Sequence, residues 1–258
     1  MATQHSNRAA AWLSAALLVA GSLVFVGGGA QHPKAATAFG TVGTEEFYRT
    51  FASHIAHQPN WIPIHALILI GPLLWAVAVP RLATVAGGND LPFIPALDDL
   101  ASRALLLGAA LWAIAFVLDG FVAPNTASAI QAAAPGDLPA MLLSFRIHQV
   151  TMVRLGLVSW ILIGLAMAIY GTTMLAQARS RRGRSLLGTF GIAIGLWPIA
   201  ATITGEFNPG PFTSSLWNVT ALASAFWFAA FGVSLVARGR AVAVPAPRDA
   251  TSILAHQS

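Results

Sequence analysis

The stretch WIPIHALILIGPLLWAVAVPRLA, Trp61 to Ala83, decides the fold. It holds no Asp, Glu, Lys or Arg before Arg81, and its one histidine is His65. A run of about 20 apolar residues matches the hydrocarbon thickness of a bilayer. In lipid such a run is helical, because its backbone groups must pair with one another. The stretch therefore predicts a membrane-spanning helix with one imidazole near its start.

Five further apolar runs of similar length predict a polytopic membrane protein. The 258 residues are 56% hydrophobic and 9% charged, whereas a soluble domain has about 25% charged residues. We therefore predict an all-α, polytopic transmembrane helical bundle of six spans. Residues 1–243 would form a single transmembrane domain and residues 244–258 a disordered cytoplasmic tail. The other runs are Ala10 to Gly29, Ala104 to Val122, Ile147 to Ala176, Leu186 to Thr204 and Leu216 to Ala237.

Composition also excludes several classes of site and partner. The chain has no cysteine, which excludes disulfides, thiolate metal sites and iron–sulfur clusters. The net charge of +5 comes from basic residues spread along the chain, a pattern that does not indicate nucleic-acid binding. The expected partner is the lipid bilayer, and a membrane-protein partner or a homo-oligomer stays open.

The distribution of Lys and Arg predicts the orientation. With the N-terminus in the cytoplasm, ten of the 14 basic residues lie in inside segments. The outside segments and outer helix ends hold the other four, Lys34, Arg49, Arg146 and Arg154. We predict that both termini are cytoplasmic, in a multi-pass protein of the plasma (inner) membrane. The first run also resembles a secretory signal cleaved after Ala30, and we favour an uncleaved helix.

Two loops contain predicted short helices. Residues 43–57 would form an amphipathic helix at the outer surface, with Thr44 as N-cap. Its apolar residues Phe47, Phe51 and Ile55 recur every four positions and are expected to face the membrane. A second short helix is predicted between Val122 and Phe145.

With this topology, the histidines lie in or above the outer halves of the spans. His65 and His148 each lie about one turn from the outer end of a helix, so the two rings could reach one transition-metal ion or opposite faces of a haem b. His54 and His57, at i,i+3 spacing, would complete with His65 the three imidazoles of a catalytic zinc site. The alternatives are hydrogen bonds to backbone carbonyls or helix ends for His65 and His148, and an interfacial position for the other two.

Charged residues of the same half would line or tune that pocket. Arg154 is expected about seven residues, or roughly 10 Å, deep in the fourth span. A charge at that depth is expected to face the bundle and pair with Asp119 or Glu206. Snorkelling towards the headgroups, or contact with an anion or substrate, are the alternatives.

The segments HQPNWIPIHALILIGPLLWAV (57–77) and FVLDGFVAP (116–124) resemble the second and third helices of uncharacterised bacterial six-helix integral membrane proteins. This resemblance implies a fold and a membrane location, and it carries over no activity.

The leading functional hypothesis is a membrane protein with a His-lined metal or haem site in its extracytoplasmic half. With haem the expected task is redox-linked electron transfer, and with a metal ion it is metal handling or oxidation chemistry. Two alternatives come from other classes. A small-solute or ion transporter would use Arg154 and Asp119 as its coupling pair, and a structural subunit would use the polar cluster only to lock the bundle. The sequence leaves open whether the protein is an enzyme.

Overall fold

The computed structural model describes residues 2–32, 39–41, 43–79, 93–177, 182–204 and 211–241. All regular structure in these ranges is helical, and no strand occurs among them, which confirms the predicted all-α class. The helices are α1 (Ala2–Gln31), α2 (Glu45–Ala56), α3 (Trp61–Ala78), α4 (Ile94–Val117), a π-helical turn (Leu118–Val122), α5 (Ala123–Ala132), α6 (Leu138–Ala176), α7 (Arg182–Thr204) and α8 (Pro211–Ala241).

Five helical segments of the described chain are long and apolar enough to cross a membrane. The run predicted as the fifth span has a described apolar stretch that is shorter, Ser185–Ala201. The number of six spans and the cytoplasmic termini therefore stay predictions, as do the domain bounds. The five segments are Ala9–Gln31, Trp61–Ala78, Ile94–Ala132, Leu138–Ala176 and Asn218–Val236.

Helix packing builds one bundle around an aromatic core. α6 packs against α4 and α7, while α1 packs against α3 and α8, and α3 contacts α4. Trp75 stacks on Phe228 with ring centroids 4.5 Å apart. At Gly164 and Gly195 the backbones of α6 and α7 approach so closely that a Cβ on either would overlap the carbonyl oxygen of the other. Small residues at such crossings are what helix association in lipid requires.

A second, smaller cluster covers one end of the bundle, and we call it the cap layer. It consists of α2, α5 and the first two turns of α6, packed around Phe47, Ile55 and Phe145. The predicted N-cap is confirmed, because Thr44 Oγ1 accepts a hydrogen bond from the N–H of Phe47 at 3.2 Å. The orientation predicted for this helix is wrong: Phe47 and Ile55 are buried against protein instead of facing lipid, because α5 offers an apolar surface. Trp61 of this layer stacks on His65, whose ring lies 5.6 Å from that of Phe116 in the core.

Candidate metal centre

Three side chains from three helix ends meet beneath the cap layer. His32 follows α1 directly, His65 lies in the second turn of α3, and Asp119 lies in the π-helical turn after α4. One nitrogen of each histidine and one oxygen of the carboxylate all lie within 4.8 Å of one another. The Oδ2 atom of Asp119 is 3.0 Å from His65 Nε2 and 3.9 Å from His32 Nε2.

His65 is fixed by contacts on every side. Its ring is fully buried and stacks on Trp61, with centroids 4.4 Å apart. Its Nδ1 lies 2.7 Å from the carbonyl oxygen of Trp61, one turn earlier in the same helix. Because a carbonyl oxygen only accepts, Nδ1 carries the proton and donates it. A neutral His65 then presents the lone pair of Nε2 to Asp119.

Asp119 is positioned by an opened helical turn. The N–H of Ala123 donates to the carbonyl of Leu118, five residues back, in the π pattern. The Nε1–H of Trp61 donates to the carbonyl of Asp119 at 2.7 Å, and Nε2 of His148 lies 3.0 Å from the carbonyl of Leu118. Isolated π turns inside α-helices are frequent at functional sites. Here the turn places a carboxylate against the histidine of another helix.

The side chain of Asp119 is 5% exposed, and its two oxygens differ in their partners. Oδ2 faces the two histidines, while Oδ1 is buried without a hydrogen-bond partner among the described residues. A buried carboxylate oxygen without a partner is costly. The unpaired Oδ1 therefore points to a ligand of the site.

Gly120 sets how closely α3 approaches the π-helical turn. A Cβ built on Gly120 would overlap the Cβ of His65 and lie 3.2 Å from its Cγ. Glycine at this position brings the two backbones together, and with them His65 and Asp119.

His32 is the adjustable member of the group. Its side chain is one-third exposed, and its ring centroid lies 5.0 Å from that of His65. Its backbone N–H continues the hydrogen bonding of α1 by donating to the carbonyl of Gly28 at 3.1 Å. A residue at a helix end with an exposed side can shift its position more easily than the fully buried His65.

The group has the donor atoms of a transition-metal site. Zinc binds imidazole and carboxylate at about 2.0–2.2 Å, which places the ligand atoms of a bound ion about 3–3.5 Å apart. The 3.0 Å between His65 and Asp119 already fits. His32, at 3.9 Å from Asp119 and within 4.8 Å of the other ligand atoms, would have to move about 1 Å or more to reach the same range. Three protein ligands would leave a coordination position open.

The structure places the other predicted site residues elsewhere. His148 approaches the carbonyl of Leu118, the backbone alternative, and is not in the group around His65. His54 and His57 belong to α2 and its C-cap, where His57 Nδ1 lies 2.7 Å from the carbonyl of Ser53. Neither is in the group, so the predicted sets of three or four histidines do not assemble among the described residues.

Of the two charged residues expected beside Asp119, the structure describes Arg154. It is exposed on α6, and no acidic side chain of the described ranges lies within ion-pair distance of it. This position differs from the expected one facing the bundle. Glu206 lies outside the described residues, so its pairing with Arg154 stays a prediction.

His32 is the member of this group that was not predicted from the sequence. It directly follows the GGGAQ motif at the predicted outer end of the first span, the end at which His65 and Asp119 were also predicted. The position of all three residues at the same end of their helices is the signal in the sequence that could have identified His32. Comparisons with protein-family models, with curated proteins and with solved structures find no match.

Proposed function

We propose that this membrane protein binds a divalent transition-metal ion through His32, His65 and Asp119. The observation that carries the proposal is the pairing of His65 with two acceptors. Its Nδ1 lies 2.7 Å from a backbone carbonyl and its Nε2 lies 3.0 Å from a carboxylate. A neutral imidazole has one N–H and can satisfy only one of them.

A metal ion resolves this conflict with the donors present. Nδ1–H donates to the carbonyl of Trp61, and Nε2 is then free to bind the ion together with the carboxylate of Asp119, which can ligate through Oδ2 and the otherwise unpaired Oδ1. A histidine that ligates through one nitrogen and donates from the other to a backbone carbonyl is the usual arrangement at metal sites. A charged His65 paired with Asp119 would also satisfy both contacts, and it leaves Oδ1 without a partner.

The ligand set restricts the metal. Two imidazoles and one carboxylate suit Zn²⁺ and Fe²⁺, and the chain has no thiolate for a softer ion. Haem is not part of the proposal. His65 is fully enclosed by protein groups, and His148 lies against the carbonyl of Leu118. Arg154 and Asp119, the coupling pair of the transporter alternative, do not meet, because Arg154 is exposed and Asp119 faces two histidines.

The test is the metal content of the purified full-length protein. After purification in detergent, dialysis against Zn²⁺ or Fe²⁺ and removal of free ion, elemental analysis should give about one ion per chain. His32→Ala, His65→Ala and Asp119→Asn should each lower that number strongly. His57→Ala is the matched control, because His57 is exposed and bonds only its own helix.

Two outcomes would overturn the proposal. One is wild-type protein that retains no more metal than the Asp119→Asn variant. The other is a metal content that falls equally in His57→Ala, which would place the ion at surface histidines. Thermal unfolding of each variant, measured without added metal, separates loss of the site from loss of the fold.

A further inference from the structure

A cavity of about 370 Å³ lies inside the bundle beside the candidate metal centre. Residues of α1, α3, α4, α6 and α8 form its walls, and His32 lines it just beyond the end of α1. His32 therefore belongs both to this cavity and to the metal group. Sites for small molecules typically measure about 300–1,000 Å³ and combine an apolar wall with few polar groups.

Aromatic rings form much of the wall. The ring of Trp112 lies 4.3 Å from that of Phe116 and 5.3 Å from that of Trp160, in a T-shaped arrangement with the latter. Phe25 completes the set at 6.0 Å from Trp112. The indole N–H of Trp112 donates to the carbonyl of Ile68 at 3.1 Å, so it is not available to a ligand. Such a wall favours a planar ring, which can stack on these residues or meet them edge-on.

Polar groups are few and lie at one end. Apart from the indole N–H groups of Trp112 and Trp160, the polar side chains among the described lining residues are those of His32 and Asn218. No described lining residue is acidic, or is a lysine or arginine. A ligand that matches this wall is uncharged and carries a polar atom at the His32 end.

The side of the cavity between α1 and α8 is the more exposed one. Gly29 and Ala30 on α1, and Asn218 and Leu222 on α8, are exposed lining residues. Gly29 and Ala30 lie at the end of one apolar segment that is a candidate to cross the membrane, and Asn218 and Leu222 lie at the start of another. An opening at the ends of two such segments would admit an amphiphile from the membrane interface.

We infer that the cavity binds an uncharged amphiphile with one aromatic or quinonoid ring, an alkyl tail, and a hydroxyl or carbonyl oxygen directed at His32. The volume is more than twice the roughly 150 Å³ that holds benzene, so a ring and a short tail fit together. This inference deepens the proposed function, because the hydroxyl or carbonyl oxygen of the ligand would lie beside His32 of the metal group. It rests on the proposed function only for contact between that oxygen and the ion.

Two glycines of α1 provide a variant and its matched control. A Cβ added at Gly29 or at Gly27 meets no atom within 4 Å, and both positions are exposed. Gly29 lines the cavity, whereas Gly27 is not among the described lining residues. A leucine at 29 would therefore occupy the cavity, and a leucine at 27 would not.

The probe is 2-bromo-4-pentylphenol, whose bromine quenches tryptophan fluorescence on contact. Wild-type protein and Gly27→Leu should show the same saturable quenching, while Gly29→Leu should bind at least about tenfold more weakly. All three are measured in the same detergent, so partition of the probe into micelles cancels. The matching bromopentylbenzene, which lacks the oxygen, should bind wild-type protein about three- to tenfold more weakly. His32→Ala should remove that difference.

Equal quenching in Gly29→Leu and wild type would overturn the inference. So would equal binding of a brominated alkanol with the same number of carbons, because it would assign the cavity to any acyl chain. Metal content and probe binding, measured on the same proteins, separate the two proposals. If only the metal proposal fails, the phenol binds and no protein retains metal. If only the cavity proposal fails, wild-type and Gly29→Leu proteins retain metal equally and show no saturable difference in quenching.

Discussion

Replacement of Gly120 by alanine tests the metal centre at its tightest contact. The new Cβ would overlap the Cβ of His65. His65 cannot turn aside easily, because Nδ1 is held 2.7 Å from the carbonyl of Trp61 and the ring is stacked at 4.4 Å on the indole. Either α3 or the π-helical turn must therefore shift, and the 3.0 Å separation of His65 and Asp119 would change with it.

Two opposing terms set the size of the effect on stability. Alanine in place of glycine favours a helical backbone by about 0.5–1 kcal/mol. An extra methyl group in a packed interior costs about 1–3 kcal/mol. Because the contact is with a fixed residue, we expect the second term to win by about 1–2 kcal/mol. The same shift would displace His65 relative to Asp119. This should lower metal affinity about 10- to 100-fold, the size of the loss seen when a supporting contact is removed at other metal sites.

Gly156→Ala is the matched control. Gly156 is also a buried helical glycine, and a Cβ there would meet only the ring of Trp112 at 3.8 Å, an ordinary contact. We expect this variant to be as stable as the wild type or slightly more stable, with unchanged metal content. Thermal unfolding in detergent and competition with a chelator measure the two effects. A Gly120→Ala protein with the stability and metal affinity of Gly156→Ala would refute this account of the site.

Three further changes have definite expected outcomes. Trp61→Phe removes the indole donor from the buried carbonyl of Asp119, so thermal unfolding in detergent should show a loss of about 1–3 kcal/mol; an unchanged midpoint would show that water replaces the donor. Arg154→Gln alters an exposed side chain and should leave stability within about 0.5 kcal/mol and metal content unchanged; loss of either would restore a buried role for this arginine. In Gly164→Ala the new Cβ would overlap the carbonyl oxygen of Gly195 and push α6 and α7 apart. The unfolding midpoint of this variant should therefore fall clearly below that of the wild type.

The apolar runs were sufficient to predict the helices, because lipid leaves the backbone no other way to pair its polar groups. The cap layer was predictable in part. Thr44 and two following acidic residues, Glu45 and Glu46, identified the start of α2. Its buried face was assigned to lipid, because the sequence does not show that α5 lies above it and supplies an apolar surface.

The rotation of the long helices could not be derived in the same way. α6 is apolar around most of its circumference, so periodicity gives no preferred face to which His148 or Arg154 could be assigned. It also begins at Leu138, earlier than the predicted Ile147, which moves Arg154 further along the helix. Only the packing against α4 and α7 fixes which residues face inward.

The π-helical turn links the fold to the site more closely than any other element. In lipid a carbonyl without a donor costs several kcal/mol, so an irregular turn persists only where other groups satisfy it. The carbonyls of Leu118 and Asp119 are consecutive, and each is approached by a side-chain N–H from a different helix, His148 from α6 and Trp61 from α3. Their combined effect is to hold the carboxylate of Asp119 against His65 with Oδ1 still unpaired, which is what a bound cation would require.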